Sequence, residues 1–395
     1  MFLTLFNSIL GLSILFPIIG PLARELHLSE VQTGLFSTGY ALMQFVLSPY
    51  WGRRSEVAGR KPILLLGILG FSAGFFLFAF FAWLGYRGVL SGYALFLPML
   101  ASRLLGGAFS SATLPTAQAY LADITTRENR TQSFALLGAA FGLGIIFGPA
   151  LGAALSGFGL LVPVLFSAGF ALLNALFVYL VLPESRPAEA RPARPPKLSF
   201  LDSRLLPILA LGLAVNLSSV AMEQTIAFYY QDKLLLSPLA TTRAVGAALV
   251  VFGLVAVLIQ GFFVRVVKWP PRTLMMVGLP ITLLGYLGLI GGNSFVLLTV
   301  SLVMLGAGGA LLGPGLSAAQ SLAVGDHEQG STAGLASSAQ GLGRMLGPVL
   351  GTTLYGLRPE YPYIFSAALL ALGLTFFVYR RDIGAVGASS AKAPG

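Results

Sequence analysis

Cysteine is absent from this chain of 395 residues, and charge is scarce, with Asp, Glu, Lys and Arg together making up only 10% of it. Without cysteine there is no disulfide and no thiolate metal site. The two histidines, His27 and His327, stand 300 positions apart in expected loops, so no metal centre is anticipated. An ordinary soluble domain carries roughly 25% charged residues. At 10% charged and 56% apolar, the chain has the composition of a membrane protein.

Apolar runs of about 20 residues, the length that crosses a bilayer as a helix, recur along the whole sequence. Twelve are expected, at 2–22, 32–51, 62–84, 93–121, 132–156, 161–182, 205–230, 241–264, 273–291, 295–322, 331–356 and 361–379. The first lacks a basic flank and a small-residue cleavage site, so it reads as a retained helix rather than a secretory signal. The expected fold is therefore an all-α membrane protein of twelve transmembrane helices.

The net charge of +10 would suit a nucleic-acid partner, but its placement argues otherwise. Of the 24 Lys and Arg residues, Arg103 and Arg344 lie inside spans, while Arg24, Arg87, Lys233, Arg243 and Arg358 fall on one side of the membrane. The other seventeen fall on the opposite side. That bias places the basic side, both termini and the central linker in the cytoplasm. A multi-pass cell (inner) membrane protein with no nucleic-acid partner is expected, and neither an enzyme activity nor a cofactor.

Gly144, Gly148, Pro149 and Gly152 return 199 positions later as Gly343, Gly347, Pro348 and Gly351. At the same offset Gly107 matches Gly306, Pro115 matches Pro314 and Pro163 matches Pro362. Matches on both sides of one motif indicate two copies of a six-span unit. The organisation expected is a first bundle at 1–182, a linker at 183–204, a second bundle at 205–380 and a disordered cytoplasmic tail at 381–395. The linker's five prolines and interspersed cations favour an extended tether. The tenth span is expected to repeat the proline kink of the fourth through Gly313, Pro314 and Gly315.

Ionisable residues within spans are functional candidates by default, because desolvating a charge is costly. Glu223, in the seventh span, is the acid placed farthest from any span end, and low dielectric favours the protonated form of a carboxyl group. Arg103 in the fourth span either snorkels outward or has a functional reason to be there, and Asp123 at that span's basic end is a further candidate proton site. Polar or aromatic residues expected to line a cavity are Asn7, Asn216, Gln224, Phe228 and Arg344, with Glu223 the candidate partner of Arg344.

The loop after the second span carries Gly52, Glu56, Gly59, Arg60 and Lys61. Its spacing resembles the gate-loop signature of the major facilitator superfamily, with Glu56 where that family usually has Asp and Val57 where it usually has a cation. The resemblance extends over the twelve spans, the repeat and the linker, and implies two six-helix bundles related by a pseudo-twofold axis, rocking around one central site. It also implies a gate in which the acid of this loop docks on the start of the eleventh helix. The glycine and proline motif resembles that of the twelve-helix drug/proton antiporters, although glycines spaced by four residues also serve simple helix packing. Arg103 followed by Gly106 matches a family pattern associated with proton coupling. These resemblances imply a monomeric, proton-coupled exporter of small hydrophobic or amphiphilic compounds. Alternatives are a transporter of an anionic amphiphile or lipid, a facilitated importer, or a non-transporting receptor.

Overall fold

The computed structural model describes residues 2–124, 127–185, 199–267, 269–324 and 329–379. Most of the expected linker and the expected tail lie outside them. The described residues form fifteen α-helices: α1 (Phe2–Ser13), α2 (Ile19–Glu25), α3 (Glu30–Ala58), α4 (Arg60–Tyr86), α5 (Gly92–Ser110), α6 (Thr113–Ile124), α7 (Arg127–Leu155), α8 (Val162–Val181), α9 (Leu206–Leu234), α10 (Pro238–Leu258), α11 (Val264–Val267), α12 (Pro271–Gly291), α13 (Phe295–Leu322), α14 (Gln329–Leu357) and α15 (Tyr361–Tyr379). Three pairs continue one another across short interruptions: α1 with α2, α5 with α6, and α10 with α11 through a π-helical turn at Ile259–Phe263. Joining them gives twelve rods that coincide with the twelve expected spans.

Residue chemistry sets where the rods start and break. Ser29 accepts from the Gln32 amide while Gln32 Oε1 accepts from the Ser29 amide, a reciprocal cap at the start of α3. In the fourth rod, Pro115 has no amide hydrogen to offer the carbonyl four residues back, that of Ser111. Ser48 Oγ donates to this carbonyl at 3.3 Å, and the neighbouring Ala108 carbonyl accepts from Trp51 Nε1 at 2.8 Å and from Ser111 Oγ at 2.7 Å. Three side-chain donors thus replace backbone bonds where the chain turns from α5 into α6, as a break at membrane depth requires. At Pro314, where a kink like that of the fourth span is expected, α13 is helical throughout from Phe295 to Leu322, without an interruption of the kind that separates α5 from α6.

Contacts divide the chain into one unit of Met1–Arg191 with Glu223–Val250 and another of Pro192–Met222 with Val251–Gly395, so the division passes through α9. In the first unit α4 buries Leu64, Phe71, Phe75 and Phe78 and leaves Leu69, Phe76, Phe80 and Trp83 exposed. Its backbone meets α5 so closely that a methyl group at Gly74 would stand 2.6 Å from the Gly106 Cα. In the second unit α12 packs on α13 and α15, with the Thr282 hydroxyl 2.1 Å from where a Gly308 methyl would sit. Small residues at these crossings are the membrane route to close packing, since lipid supplies no hydrophobic force between helices.

Candidate functional site

The two glycine motifs perform the same packing in each unit. A methyl group on Gly148 of α7 would stand 1.9 Å from Ser13 Oγ at the end of α1 and 2.9 Å from the amide nitrogen of Ile14, the next residue, and Gly144 and Gly152 approach Ile9 and the Ile14 carbonyl. Ser13 Oγ donates across this contact to the Gly144 carbonyl at 2.7 Å. In the other unit a methyl group on Gly347 of α14 would meet Val220 of α9 at 2.8 Å, while Gly343 faces Asn216 and Gly351 faces Ala221. The partners on α1 and α9 are offset by 207 residues, from Ser13 to Val220 and from Ile14 to Ala221, eight more than the 199 that separates the motifs. Pro149 and Pro348 lie inside α7 and α14, both buried.

At the basic end of α4, five elements converge on one cluster. Gly59 turns the chain from α3 into α4 at φ +92°, where a side chain is strained and where its first carbon would stand 2.9 Å from Glu184 Oε2. Glu184 accepts from the Arg60 amide at 2.6 Å and from the Lys61 amide at 3.1 Å, so a carboxylate closes the positive end of α4. Arg60 Nε lies 3.0 Å from Asp123 Oδ2, with both side chains 9% exposed, and Nη1 donates to Ser55 Oγ at 2.7 Å. Ser185 donates to Asp123 at 3.0 Å, and Tyr120 donates to the Pro183 carbonyl at 2.9 Å. Lys61 lies over Tyr179, and the Gly52 carbonyl accepts from Ser55.

The expected gate residues Gly52, Gly59, Arg60 and Lys61 therefore gather, and Asp123, expected to carry protons, gathers with them. The side chain of Glu56 lies outside the described residues. Glu184 was not anticipated as a site residue. Its signal in the sequence is a carboxylate directly after Pro183, where the sixth span leaves the membrane.

At the opposite end of the first unit, Arg24 of α2 forms a two-pronged ion pair with Asp232 of α9, Nη2 reaching Oδ2 at 2.7 Å. Its guanidinium lies 5.2 Å above the ring of Phe228, which is fully buried. Ser37 of α3 donates to Gln224 Oε1 at 2.8 Å, and a methyl group on Gly20 would meet Ala227 at 3.1 Å. Two expected cavity residues, Gln224 and Phe228, are thus packing and clamping groups in this structure. Asn7 is 1% exposed with an unpartnered side-chain oxygen, and Asn216 Oδ1 is likewise buried and unpartnered beside Gly343.

Arg103 is 4% exposed and sits among three rings, with its guanidinium carbon 4.7 Å from the Tyr40 centroid, 4.9 Å from Phe75 and 5.7 Å from Phe78. Among the described residues no carboxylate bonds to it. The rings supply negative faces in place of an acid, an arrangement that accounts for an intramembrane cation without snorkelling. Glu223 is half-buried on α9.

Arg344 differs from all of these. It is exposed, sixteenth of the 29 residues of α14, with Ser337 and Gln340 exposed on the same helical face. Among the described residues no carboxylate pairs with it. Exposed polar groups at the middle of a membrane helix face water rather than lipid. Ser337 and Gln340 lacked a signal in the sequence reading because each is a common helix-contact residue taken alone.

Comparison with known proteins places the fold. The family model described as Major Facilitator Superfamily matches residues 1–290 and 209–394. The chain is 28% identical over 386 residues to Multidrug resistance protein 2 of Bacillus subtilis (strain 168), covering 94% of this chain and 91% of that protein. It is 29% identical over 360 residues to Tetracycline resistance protein, class C, of Escherichia coli, covering 87% of this chain and 86% of that protein. Among solved structures, the human organic anion transporter MFSD10 (TETRAN) superposes with a TM-score of 0.63 at 24% identity, covering 95% of this chain and 97% of that one. A bacterial homologue of the human lysosomal transporter Spinster, inward-facing and occupied, gives 0.72 at 16% identity and 96% coverage of each chain.

Proposed function

We propose that this chain, which belongs to the major facilitator superfamily and is a transporter rather than an enzyme, exports small hydrophobic or amphiphilic compounds in exchange for protons. One observation carries the reading: α14 exposes Ser337, Gln340 and Arg344 on one face at the middle of a membrane helix, which a substrate path needs and a packing helix does not. The names of the multidrug and tetracycline resistance relatives support the substrate class.

In this reading the basic side is cytoplasmic and both termini lie there, the protein works as a monomer in the cell membrane, and the bundles at 1–182 and 205–380 rock about a central site. The cluster of Arg60, Asp123 and Glu184 rigidifies the cytoplasmic ends of α3, α4 and α6. The pair of Arg24 with Asp232 closes the external ends of α2 and α9 and parts when the site opens outward. Glu223 is the proton site and the proton is the only coupling ion, with no cofactor. Glu223→Gln imitates the protonated carboxyl permanently, so it should retain substrate exchange between two pools while abolishing accumulation driven by a pH gradient. The measurement is uptake of a lipophilic dye into vesicles with and without an imposed gradient. Undiminished gradient-driven accumulation by Glu223→Gln would falsify Glu223 as the coupling site.

A further inference from the structure

The second unit contains a charge that its own helices cannot neutralise. Within α12, α13, α14 and α15, and in the parts of α9 and α10 that belong to this unit, there is no Asp or Glu; Glu223 of α9 stands one residue past the unit's border at Met222. The nearest acid after Arg344 along the chain is Glu360, beyond the end of α14. At 1.5 Å per residue, the thirteen residues from Arg344 to Leu357 put that end about 20 Å away. Arg344 is neither buried among rings, as Arg103 is, nor bonded to a carboxylate among the described residues.

The surroundings of Arg344 on its helix are graded along one face. Positions 337, 340, 344, 348, 351 and 355 follow the three- and four-residue spacing of a single helical stripe. Ser337, Gln340 and Arg344 are exposed, whereas Pro348, Gly351 and Tyr355 on the same stripe are buried. The exposed run on this stripe therefore extends from Ser337 to Arg344 and ends at Pro348. Hydroxyl and amide groups precede the guanidinium, and apolar packing follows it. A ligand approaching along this stripe meets neutral hydrogen-bonding groups first and a positive charge where the exposed run ends.

We infer that Arg344 is the anion-binding group of the substrate site, and that the preferred substrates are amphiphiles carrying one carboxylate, sulfonate or phosphate on an apolar body. The inference rests on the export reading above and narrows its substrate class. A guanidinium holds such groups by two parallel charge-assisted hydrogen bonds, and its forked geometry is not reproduced by lysine. A lipophilic cation would be repelled by the same charge, with no acid in this unit's membrane helices to offset it. Gln340, one turn before Arg344, is placed to take a second oxygen of the bound group. The anionic group can belong to a free organic acid or to a lysolipid headgroup; the chemistry at Arg344 is the same.

The test is equilibrium binding to the purified full-length protein of three pyrene probes that differ only in the end group: pyrenebutyrate, pyrenebutanol and pyrenebutyl-trimethylammonium. A second arm compares pyrene-labelled lysophosphatidylglycerol with labelled lysophosphatidylcholine. The wild type should bind the butyrate most tightly and the ammonium least. Arg344→Gln should weaken the butyrate by ~10- to 100-fold, the range of one charged hydrogen-bonding contact, and leave the butanol within ~2-fold. Arg344→Lys should fall between. Preference for lysophosphatidylglycerol over lysophosphatidylcholine together with weak butyrate binding identifies a lipid as the source of the anion, and the reverse identifies a free acid. The inference is overturned if the wild type binds all three end groups alike, if it favours the ammonium, or if Arg344→Gln loses butyrate and butanol equally. The wild-type order of affinities decides the matter even if the variant does not fold. Failure of the export reading shows separately, as binding of the butyrate with no movement of any probe across vesicle membranes.

Discussion

Asp123→Asn removes one charge from a pair that is nearly dry. Arg60 Nε and Asp123 Oδ2 are 3.0 Å apart, and each side chain is 9% exposed. Once the carboxylate is gone, Arg60 retains Ser55 Oγ at 2.7 Å and a neutral amide, neither of which compensates a buried cation. At an effective dielectric of ~20, opposite charges about 4 Å apart attract by ~4 kcal/mol. Removing one partner of a buried pair typically costs ~3–5 kcal/mol, whereas replacing both by apolar residues of similar size is often neutral. Asp123→Asn and Arg60→Met should therefore each destabilise the protein by ~3–5 kcal/mol, and Arg60→Met with Asp123→Leu by much less than the two single losses together. The assay is denaturant unfolding in mixed micelles followed by tryptophan fluorescence, with Trp51 on α3 and Trp83 on α4 reporting from the helices that meet at Gly59. A loss below ~1 kcal/mol for Asp123→Asn, the range of an exposed pair, or strict additivity in the double variant would refute the reasoning.

Gly148→Ala and Gly347→Ala should each lower stability by ~1–3 kcal/mol through overpacking, more for Gly148, whose methyl group meets Ser13 Oγ at 1.9 Å; wild-type unfolding midpoints in both would show that these faces are not tight. Glu184→Ala removes the group that closes the start of α4 and should cost ~0.5–2 kcal/mol, the range of an N-terminal cap, with Glu184→Gln losing less because its amide oxygen still accepts. Asp232→Asn should change stability by no more than ~1 kcal/mol, because Arg24 and Asp232 are 26% and 36% exposed. It should nevertheless raise the labelling of cysteines introduced on α2 and on the Asp232 half of α9, and the exchange Arg24→Asp with Asp232→Arg should restore protection. Unchanged labelling in Asp232→Asn would mean that the pair closes nothing.

Much of the fold was legible because bilayer thickness imposes a length on every apolar run, and twelve runs became twelve rods. The glycine repeat was legible for a related reason. Two backbones can approach to the distances seen at Gly148 and Gly347 only if one side chain is missing at a fixed spacing, and a missing side chain is visible in a sequence. Charged contacts were less legible. Asp123 read as a lone acid at a span end because Arg60, 63 residues earlier, approaches it only after α4 and α6 are aligned. Glu184 was hidden inside a proline-rich segment whose composition suggests a tether. Gln224 and Phe228 read as cavity groups, since polarity and aromaticity do not reveal which side of a helix a partner covers.

The two copies also show where this protein's chemistry departs from its scaffold. At the repeat offset of 199, Arg103 corresponds to Leu302 and Arg344 to Ile145; at the offset of 207 that relates α9 to the first rod, Glu223 corresponds to Phe16. The glycines, prolines and Ser167 with its counterpart Ser366 persist in both copies, because each unit must solve the same packing problem. All three intramembrane charges stand where the other copy is apolar. Arg103 and Leu302 are both buried, so that position is a core site in either unit, and the aromatic rings around Arg103 adapt a leucine's place to a cation. Ile145 and Arg344 are both exposed, so no packing constraint required the change to arginine. A charge placed where packing is indifferent, and left exposed at the middle of a membrane helix, is available to a ligand that approaches along that face, which is why Arg344, rather than the better-buried Arg103, is the residue on which substrate charge should depend.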